Sequence, residues 1–170
     1  LPGIAGAEGA WNTTLQIHTA SGGWNPISIK AEDYGSIREN PINQVTVMEG
    51  SWPPAEKEIA LDVHKLEDIG VEAGDEVKIK LPSGTIRTLR VAAVVQDQTI
   101  GSSGGEGGFF LTNMKGYITT DSLLWLEQPD GYNTLYAAVE QGQEDRTAIR
   151  PVADLILDSF YQNGYQTFGL

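Results

Sequence analysis

Residues 71–97, VEAGDEVKIKLPSGTIRTLRVAAVVQD, constrain the fold more than any other stretch of the chain. Val77, Ile79 and Leu81 recur at every second position up to a Pro-Ser-Gly turn, and Ile86, Leu89, Val91 and Val94 lie beyond it. A period of two puts such side chains on one face of an extended strand, and a glycine-bearing turn between two runs reads as an antiparallel hairpin. The series Ile86, Leu89, Val91 and Val94 carries a phase slip, which predicts a β-bulge in the second strand. Glu-Ala-Gly-Asp ahead of the hairpin reads as a tight turn in which Asp75 bonds nearby backbone N–H groups.

The same alternation, in shorter pieces, predicts strands at LQIHT (15–19), ISIKA (27–31), QVTVMEG (44–50), EIALD (58–62), GYITT (116–120) and NTLYAAVE (133–140). Residues 1–10, rich in small side chains, read as a loop, residues 33–41 as irregular chain, and the glycine–serine run 99–108 as a mobile loop. Asp62 is placed to cap a short helix over 63–70 that Gly70 closes, and Asp121 to cap another over 122–128 with Leu123, Leu124 and Leu126 toward a core. A longer helix starts at Asp145 or Thr147 and runs to about Asn163. Its Val152, Leu155, Ile156, Ser159 and Phe160 form a buried stripe, and Pro151 sits near its first turn. Residues 165–170 read as one more strand. The expected fold is therefore α+β, with eight or nine short, mostly antiparallel strands and about three helices. Two lobes are expected: a β-rich one over 44–97 and an α/β one over 109–170, with 1–43 joining either.

Charge and composition narrow the function. Eleven basic against 23 acidic side chains give a net charge of -12, a field that repels phosphate backbones and opposes docking on an anionic bilayer through a basic face. Cysteine is absent, which excludes disulfides, thiolate metal sites and cysteine nucleophiles. No window approaches the ~20 apolar residues of a membrane helix. The chain starts at Leu1 rather than Met, as a processed chain or a piece of a longer protein would.

No residue pattern points to catalysis. His64 stands beside Asp62, but a stable metal site needs three or four ligands, and a solvated helix start is the better reading. Ser102 and Ser103 lack a G-x-S-x-G setting, and the glycines around them lack the lysine of a phosphate-binding loop. Acid pairs such as Glu32/Asp33, Glu56/Glu58, Glu67/Asp68 and Asp75/Glu76 arise readily in so acidic a chain, so an acid-dependent hydrolase has only the abundance of acid behind it. No catalytic, cofactor or metal residues are assigned. Phe109 and Phe110, adjacent aromatics after the glycine-rich run, point to opposite faces if extended, which makes them the candidate partner contact. Burial of both is the structural alternative.

EGSWPPAEKEIALD (49–62) combines a turn glycine, a tryptophan and two prolines before a strand, and reads as a stiff corner with Trp52 covering it. With the helix and hairpin that follow, this span resembles the periplasmic core domain of the MacB/FtsX family of ABC-transporter permeases. The likeness is carried by Gly50, Trp52, Pro53, Glu58, Ile59, Leu61, Gly70, Gly74, Asp75, Val77, Ile79, Leu89, Val91 and Val94. LPGIAGAEG at the start and GYITTDSLLWLEQPDGYNTLYAAVEQ later are similar to other elements of that family, so the likeness covers about two-thirds of the chain. The resemblance implies a single extracytoplasmic domain over 1–170 without enzymatic activity or cofactor. It implies coupling to a cytoplasmic ATPase through membrane helices outside this sequence, and contact with an extracytoplasmic protein or a lipid-linked substrate. It also implies a dimer only in the full transporter, while the acidic charge by itself disfavours a nucleic-acid partner. A secreted binding or adhesion module would leave nearly the same sequence signal. Trp52 is expected to be substantially buried.

Overall fold

The computed structural model describes residues 3–35, 42, 45–97, 113–140 and 146–167, with the backbone alone at 146–148. Eight strands are present: β1 (Ile4–His18), β2 (Trp24–Glu32), β3 (Val45–Gly50), β4 (Glu58–Asp62), β5 (Glu76–Lys80), β6 (Ile86–Asp97), β7 (Met114–Thr119) and β8 (Thr134–Val139). The helices are α1 (Leu66–Ile69) and α2 (Arg146–Gln162), and two 3₁₀ turns span Thr120–Ser122 and Leu124–Leu126. The chain divides into two compact units. One comprises 9–37 and 43–134, the other 1–8, 38–42 and 135–170.

The larger unit is a closed, mixed sheet. Strands follow the order β2-β7-β4-β6-β5-β1, and β1 returns to pair with β2, so six strands form a ring. Pairing is antiparallel except for β2 with β7 and β4 with β6. A crossover brings each parallel pair together from distant sequence, whereas β5 and β6 meet across the Pro-Ser-Gly turn, where the Leu81 N–H donates to the Thr85 carbonyl at 2.8 Å. β3 lies along the far part of β6, and β8 along β1.

Alternation fills the ring. Leu15, Ile17, Ile27, Ile29, Ile59, Leu61, Val77, Ile79, Leu89, Val91, Met114 and Ile118 make one apolar cluster, sealed from solvent. Full burial of a side chain of this size is worth roughly 1.5–3 kcal/mol. Register explains the break in alternation along β6: Ile59 pairs with Val91 but Ala60 with Ala93, so Ala92 is the bulged residue. The bulge keeps Val94, opposite Leu61, in phase with Leu89 and Val91. Gly116 faces the same interior, and a Cβ there would lie 2.8 Å from Ile59 Cδ1 and 3.1 Å from Ile27 Cδ1. Outside the ring, Ala60, Ala93, Val95 and Tyr117 form a second, smaller cluster with Val45 and Trp52 packed on it.

The two ends of the ring are closed differently. β7 runs antiparallel to β4, so the 3₁₀ turns after β7 and α1 after β4 lie at opposite ends. The 3₁₀ turns send Leu123 and Leu126 into the core, while Leu124 is exposed. Trp125 lies half-buried over them, with the Lys57 ammonium 4.8 Å and the Arg87 guanidinium 4.4 Å from its ring centre. Arg87 Nε also donates to the Trp125 carbonyl at 3.1 Å, which holds the plug to β6. At the other end Ile69 of α1 joins the core.

The smaller unit joins the start of β1, most of β8 and α2. The Glu140 N–H donates to the Gly3 carbonyl, and Glu8, buried, accepts the Ile42 N–H at 2.9 Å. α2 buries none of its described side chains fully: Val152, Ile156, Ser159 and Phe160 are half-buried and Leu155 is exposed.

Several expectations need correction. Residues 4–10 belong to a strand rather than a loop, because β1 pairs on both sides and its small residues make room for neighbours: a Cβ on Gly9 would lie 2.9 Å from the Tyr132 ring. The helix expected over 63–70 shrinks to Leu66–Ile69. Asp62 does not cap it, since its carboxylate bonds the His64 N–H and Lys65 takes the N-cap position in a left-handed conformation. Gly70 closes the helix as expected, with φ 69. The helix expected over 122–128 resolves into two 3₁₀ turns without a side-chain cap from Asp121. Pro151 stands in the second turn of α2 rather than its first. Leu155 leaves the expected stripe, and Tyr165–Thr167 form no strand. Residues 44–97 from Val45 onward lie in the larger unit together with β7 and the 3₁₀ turns, so the division between the units falls after Thr134. β7 stays there because it is hydrogen-bonded to β2 and β4.

Candidate functional site

The corner at 50–54 places the aromatic residues the sequence singles out. Gly50 has φ 83, and a Cβ on it would meet the Ala92 carbonyl oxygen at 2.2 Å, so only glycine fits where the Ser51 N–H donates to that same carbonyl. Trp52 then folds back over the outer cluster, its ring 4.7 Å from Tyr34 and 6.1 Å from Tyr117, both edge-on. Most of its surface is covered, as expected, and a minor part is exposed. One side of the indole is a lid on this cluster and the rest stays wet, which fits the corner reading better than that of a fully offered platform.

Beneath that lid the strand ends hold a network of ionisable groups. Asp62, at the end of β4, has no exposure, and Asp97, at the end of β6, is only 7 % exposed. Asp62 Oδ1 accepts the His64 N–H at 2.8 Å and lies 2.5 Å from His64 Nδ1, while its Oδ2 accepts the Asp97 N–H at 2.9 Å. Asp97 Oδ2 in turn accepts the Tyr117 hydroxyl at 2.7 Å and the Lys115 ammonium at 3.0 Å. Strand geometry explains the assembly: Lys115 and Tyr117 are two apart on β7 and share its outer face, and β4 lies between β6 and β7. Burial first, and then the facing Asp97 carboxylate, push the Tyr117 phenol well above its ordinary range.

Such a network fastens strands; it is poorly arranged for reaction. Tyr117 is held protonated as a donor, and both carboxylates already accept donors on the oxygens nearest their neighbours. Acid–base work needs a carboxylate facing a cleft with a pKa shifted toward its task. Among the described residues no three His, Asp or Glu side chains converge as a metal-holding group. The other acid pairs are dispersed: Glu32 pairs with Lys30, Glu56 with Lys57 and Glu58 with Arg90, while Asp75 accepts the Glu72 N–H as its turn predicts. Phe109, Phe110, Ser102, Ser103 and the whole of 99–108 lie outside the described residues.

Sequence reasoning found Asp62 and His64 as neighbours but missed Asp97, Lys115 and Tyr117. The available signal was weak: a period of two at Lys115 and Tyr117, and an aspartate ending an apolar strand. Nothing local says that β6 and β7 flank β4 on its two edges.

Comparison with known proteins speaks to the fold. No family model matches the chain, and no curated protein matches it in sequence. Solved structures do, among them the two that follow. The extracellular domain of the noncanonic ABC-type transporter YknZ from Gram-positive bacteria superposes with a TM-score of 0.60 at 10% identity, over 97% of this chain and 79% of that one. The periplasmic region of MacB from Actinobacillus actinomycetemcomitans gives 0.51 at 12% identity, over 99% of this chain and 79% of that one. The α+β fold of this chain is the fold of those domains.

Proposed function

We propose that residues 1–170 form the extracytoplasmic domain of an ABC-type permease of the MacB/FtsX kind, a non-enzymatic element that passes ATP-driven movement to a partner outside the membrane. One observation carries the reading: nearly the whole chain follows the fold of two domains that both stand outside the membrane in ABC-type transporters. The motif order around Gly50, Trp52 and the β5–β6 hairpin supports it independently, because each of these residues serves the scaffold. The engaged carboxylates of Asp62 and Asp97 also favour it over an acid-dependent hydrolase. In this reading the ATPase lies in the cytoplasm, Phe109 and Phe110 meet an extracytoplasmic protein or a lipid-linked substrate, and dimerisation belongs to the whole transporter.

No helix among the described residues is long and apolar enough to cross a membrane. The permease reading therefore requires membrane segments elsewhere in the parent protein. The test is the parent reading frame: apolar segments of about 20 residues on both sides of this domain are expected. A frame with neither leaves a secreted binding module and overturns the proposal. In the reconstituted full protein, Phe109→Ala with Phe110→Ala is expected to uncouple transport while the melting temperature holds; unchanged transport removes the partner contact.

A further inference from the structure

Two residue pairs in this chain can rearrange their own backbone: the single Asn-Gly, at 163–164, and the single Asp-Gly, at 130–131. In each, the side-chain carbonyl carbon lies within reach of the next residue's nitrogen, and glycine, with no Cβ, leaves that nitrogen unshielded and its dihedrals free. The fold separates the two pairs. At the end of α2 the Asn163 side-chain amide donates to the Ser159 carbonyl at 2.7 Å, and the Gly164 N–H donates to the Tyr161 carbonyl at 3.1 Å. Both reacting groups there are held by the helix end. Asp130 and Gly131 lie in a bend between the Leu124–Leu126 turn and β8. Asp130 is exposed, and among the described residues neither its carboxylate nor the Gly131 N–H takes part in a hydrogen bond. Gly131 has φ 146, and a Cβ on it would meet nothing within 4 Å, so this pair has room to turn.

We propose that Asp130–Gly131 is a modification site at which the chain forms isoaspartate. The Gly131 nitrogen attacks Asp130 Cγ and a C–N bond forms. The hydroxyl of the protonated carboxyl leaves with the proton of that nitrogen as water, which closes a succinimide. Water then opens the ring. Cleavage of the bond from nitrogen to Cγ restores aspartate; cleavage of the bond from nitrogen to the Asp130 main-chain carbonyl carbon leaves the chain running through Cγ. One water leaves and one enters, so mass and charge are unchanged and no co-reactant is needed. The product carries an extra carbon in its backbone just ahead of a clasp on β1. There the Tyr132 ring packs on Gly9, and the Asn133 N–H donates to the Ala10 carbonyl at 3.0 Å. The Asn133 side chain accepts the Asn12 N–H at 2.8 Å and donates to the Asn12 carbonyl at 2.7 Å. The inference concerns this bend alone and stands whether or not the permease reading does.

Ageing the ¹⁵N-labelled 170-residue chain in mildly acidic buffer at physiological temperature tests it, beside a sample kept unfolded in denaturant. Isoaspartate is located by peptide mapping with electron-transfer fragmentation, which tells it from aspartate at equal mass. Isoaspartate should build up at residue 130 in the folded chain at a rate within about threefold of the unfolded one, because no local opening has to precede the attack. Conversion of Asn163 should be slowed by the fold at least about tenfold, since its hydrogen bonds must open first. Asp130→Glu, which would need a six-membered ring, should fold as the parent does and lose the product at this position. In the aged parent chain the Ala10, Asn12 and Asn133 amides should show a second set of signals that aged Asp130→Glu lacks. Isoaspartate at residue 130 confined to the unfolded sample, or conversion of Asn163 outpacing it in the folded one, would overturn the proposal. A single unshifted set of clasp amides beside proven isoaspartate would overturn the effect on β1.

Discussion

The two units differ most in what they seal from water. In the larger unit twelve large side chains, from Ile17 to Leu126, have less than 2 % exposure. In the smaller unit only Glu8 and Val139 are buried among the residues with described side chains, and Leu135, Leu155, Tyr161 and Tyr165 are exposed. Both contain alternating strands, so strand formation is not what separates them. Closure is. A sheet whose first and last strands meet has an inside, and every second residue is driven into it. The smaller unit lays one amphipathic helix among strand segments and leaves that helix half-wet. Stability in this molecule should therefore be concentrated in the ring, with the smaller unit opening locally at lower cost.

The first way to break that comparison is to cut into the ring. Leu61→Ala removes a side chain of β4 with no exposure, and should destabilise the fold by about 3–5 kcal/mol in a denaturant titration. A loss under about 1 kcal/mol would mean that the interior is loosely packed and that closure is not the source of stability. Asp97→Ala comes next. It strands the Tyr117 hydroxyl and the Lys115 ammonium, for an expected loss of about 2–3 kcal/mol, tempered because Lys115 is partly in water. If the double variant with Tyr117→Phe loses as much as the sum of the two single variants, the groups act separately and the network reading fails.

A smaller effect appears only at high pH. In the unfolded chain the Tyr117 phenol loses its proton near pH ~10, whereas burial and Asp97 keep it protonated in the fold. The folded pKa is the raised one, so the stability it contributes is whole below pH ~10 and is lost as pH rises beyond it. The wild-type chain should lose up to about 1.4 kcal/mol per pH unit more than Tyr117→Phe above that point. Parallel stability–pH curves for the two proteins would show that the phenol titrates alike folded and unfolded.

The same contrast explains what was legible in the sequence. The β5–β6 hairpin, its bulge, the Gly50 corner and the Gly70 helix stop are local events, written in residues within a few positions of one another. The ring is not. Nothing near Met114 announces that β7 will run parallel to β2 and antiparallel to β4, and so the convergence of Asp62, Asp97 and Tyr117 was invisible. The first half of β1 is hidden in the sequence for a related reason. Gly6, Gly9 and three alanines between residues 5 and 10 have little strand propensity of their own, and become strand because the neighbours of β1 supply the pairing. Helical periodicity marks the full length of α2, but periodicity reports which side chains share a face and not whether anything covers that face. Leu155 sits in the stripe by spacing and in solvent by structure.

Ile156→Ala carries the smallest expected effect and decides the most about the smaller unit. Ile156 is half-buried on α2, so its truncation removes little sealed surface and leaves no closed cavity; about 1 kcal/mol is expected, well below the loss at Leu61. Hydrogen exchange should separate the two cases in the unmutated protein. Amides of α2 should exchange through local openings, at protection far below that of β4 and β6. In Ile156→Ala the α2 amides should speed up while those of β4 keep their rates, whereas Leu61→Ala should lower protection everywhere at once. If Ile156→Ala instead accelerates β4 and α2 equally, the two units unfold as one, and a half-wet helix contributes to global stability on the same footing as the closed ring.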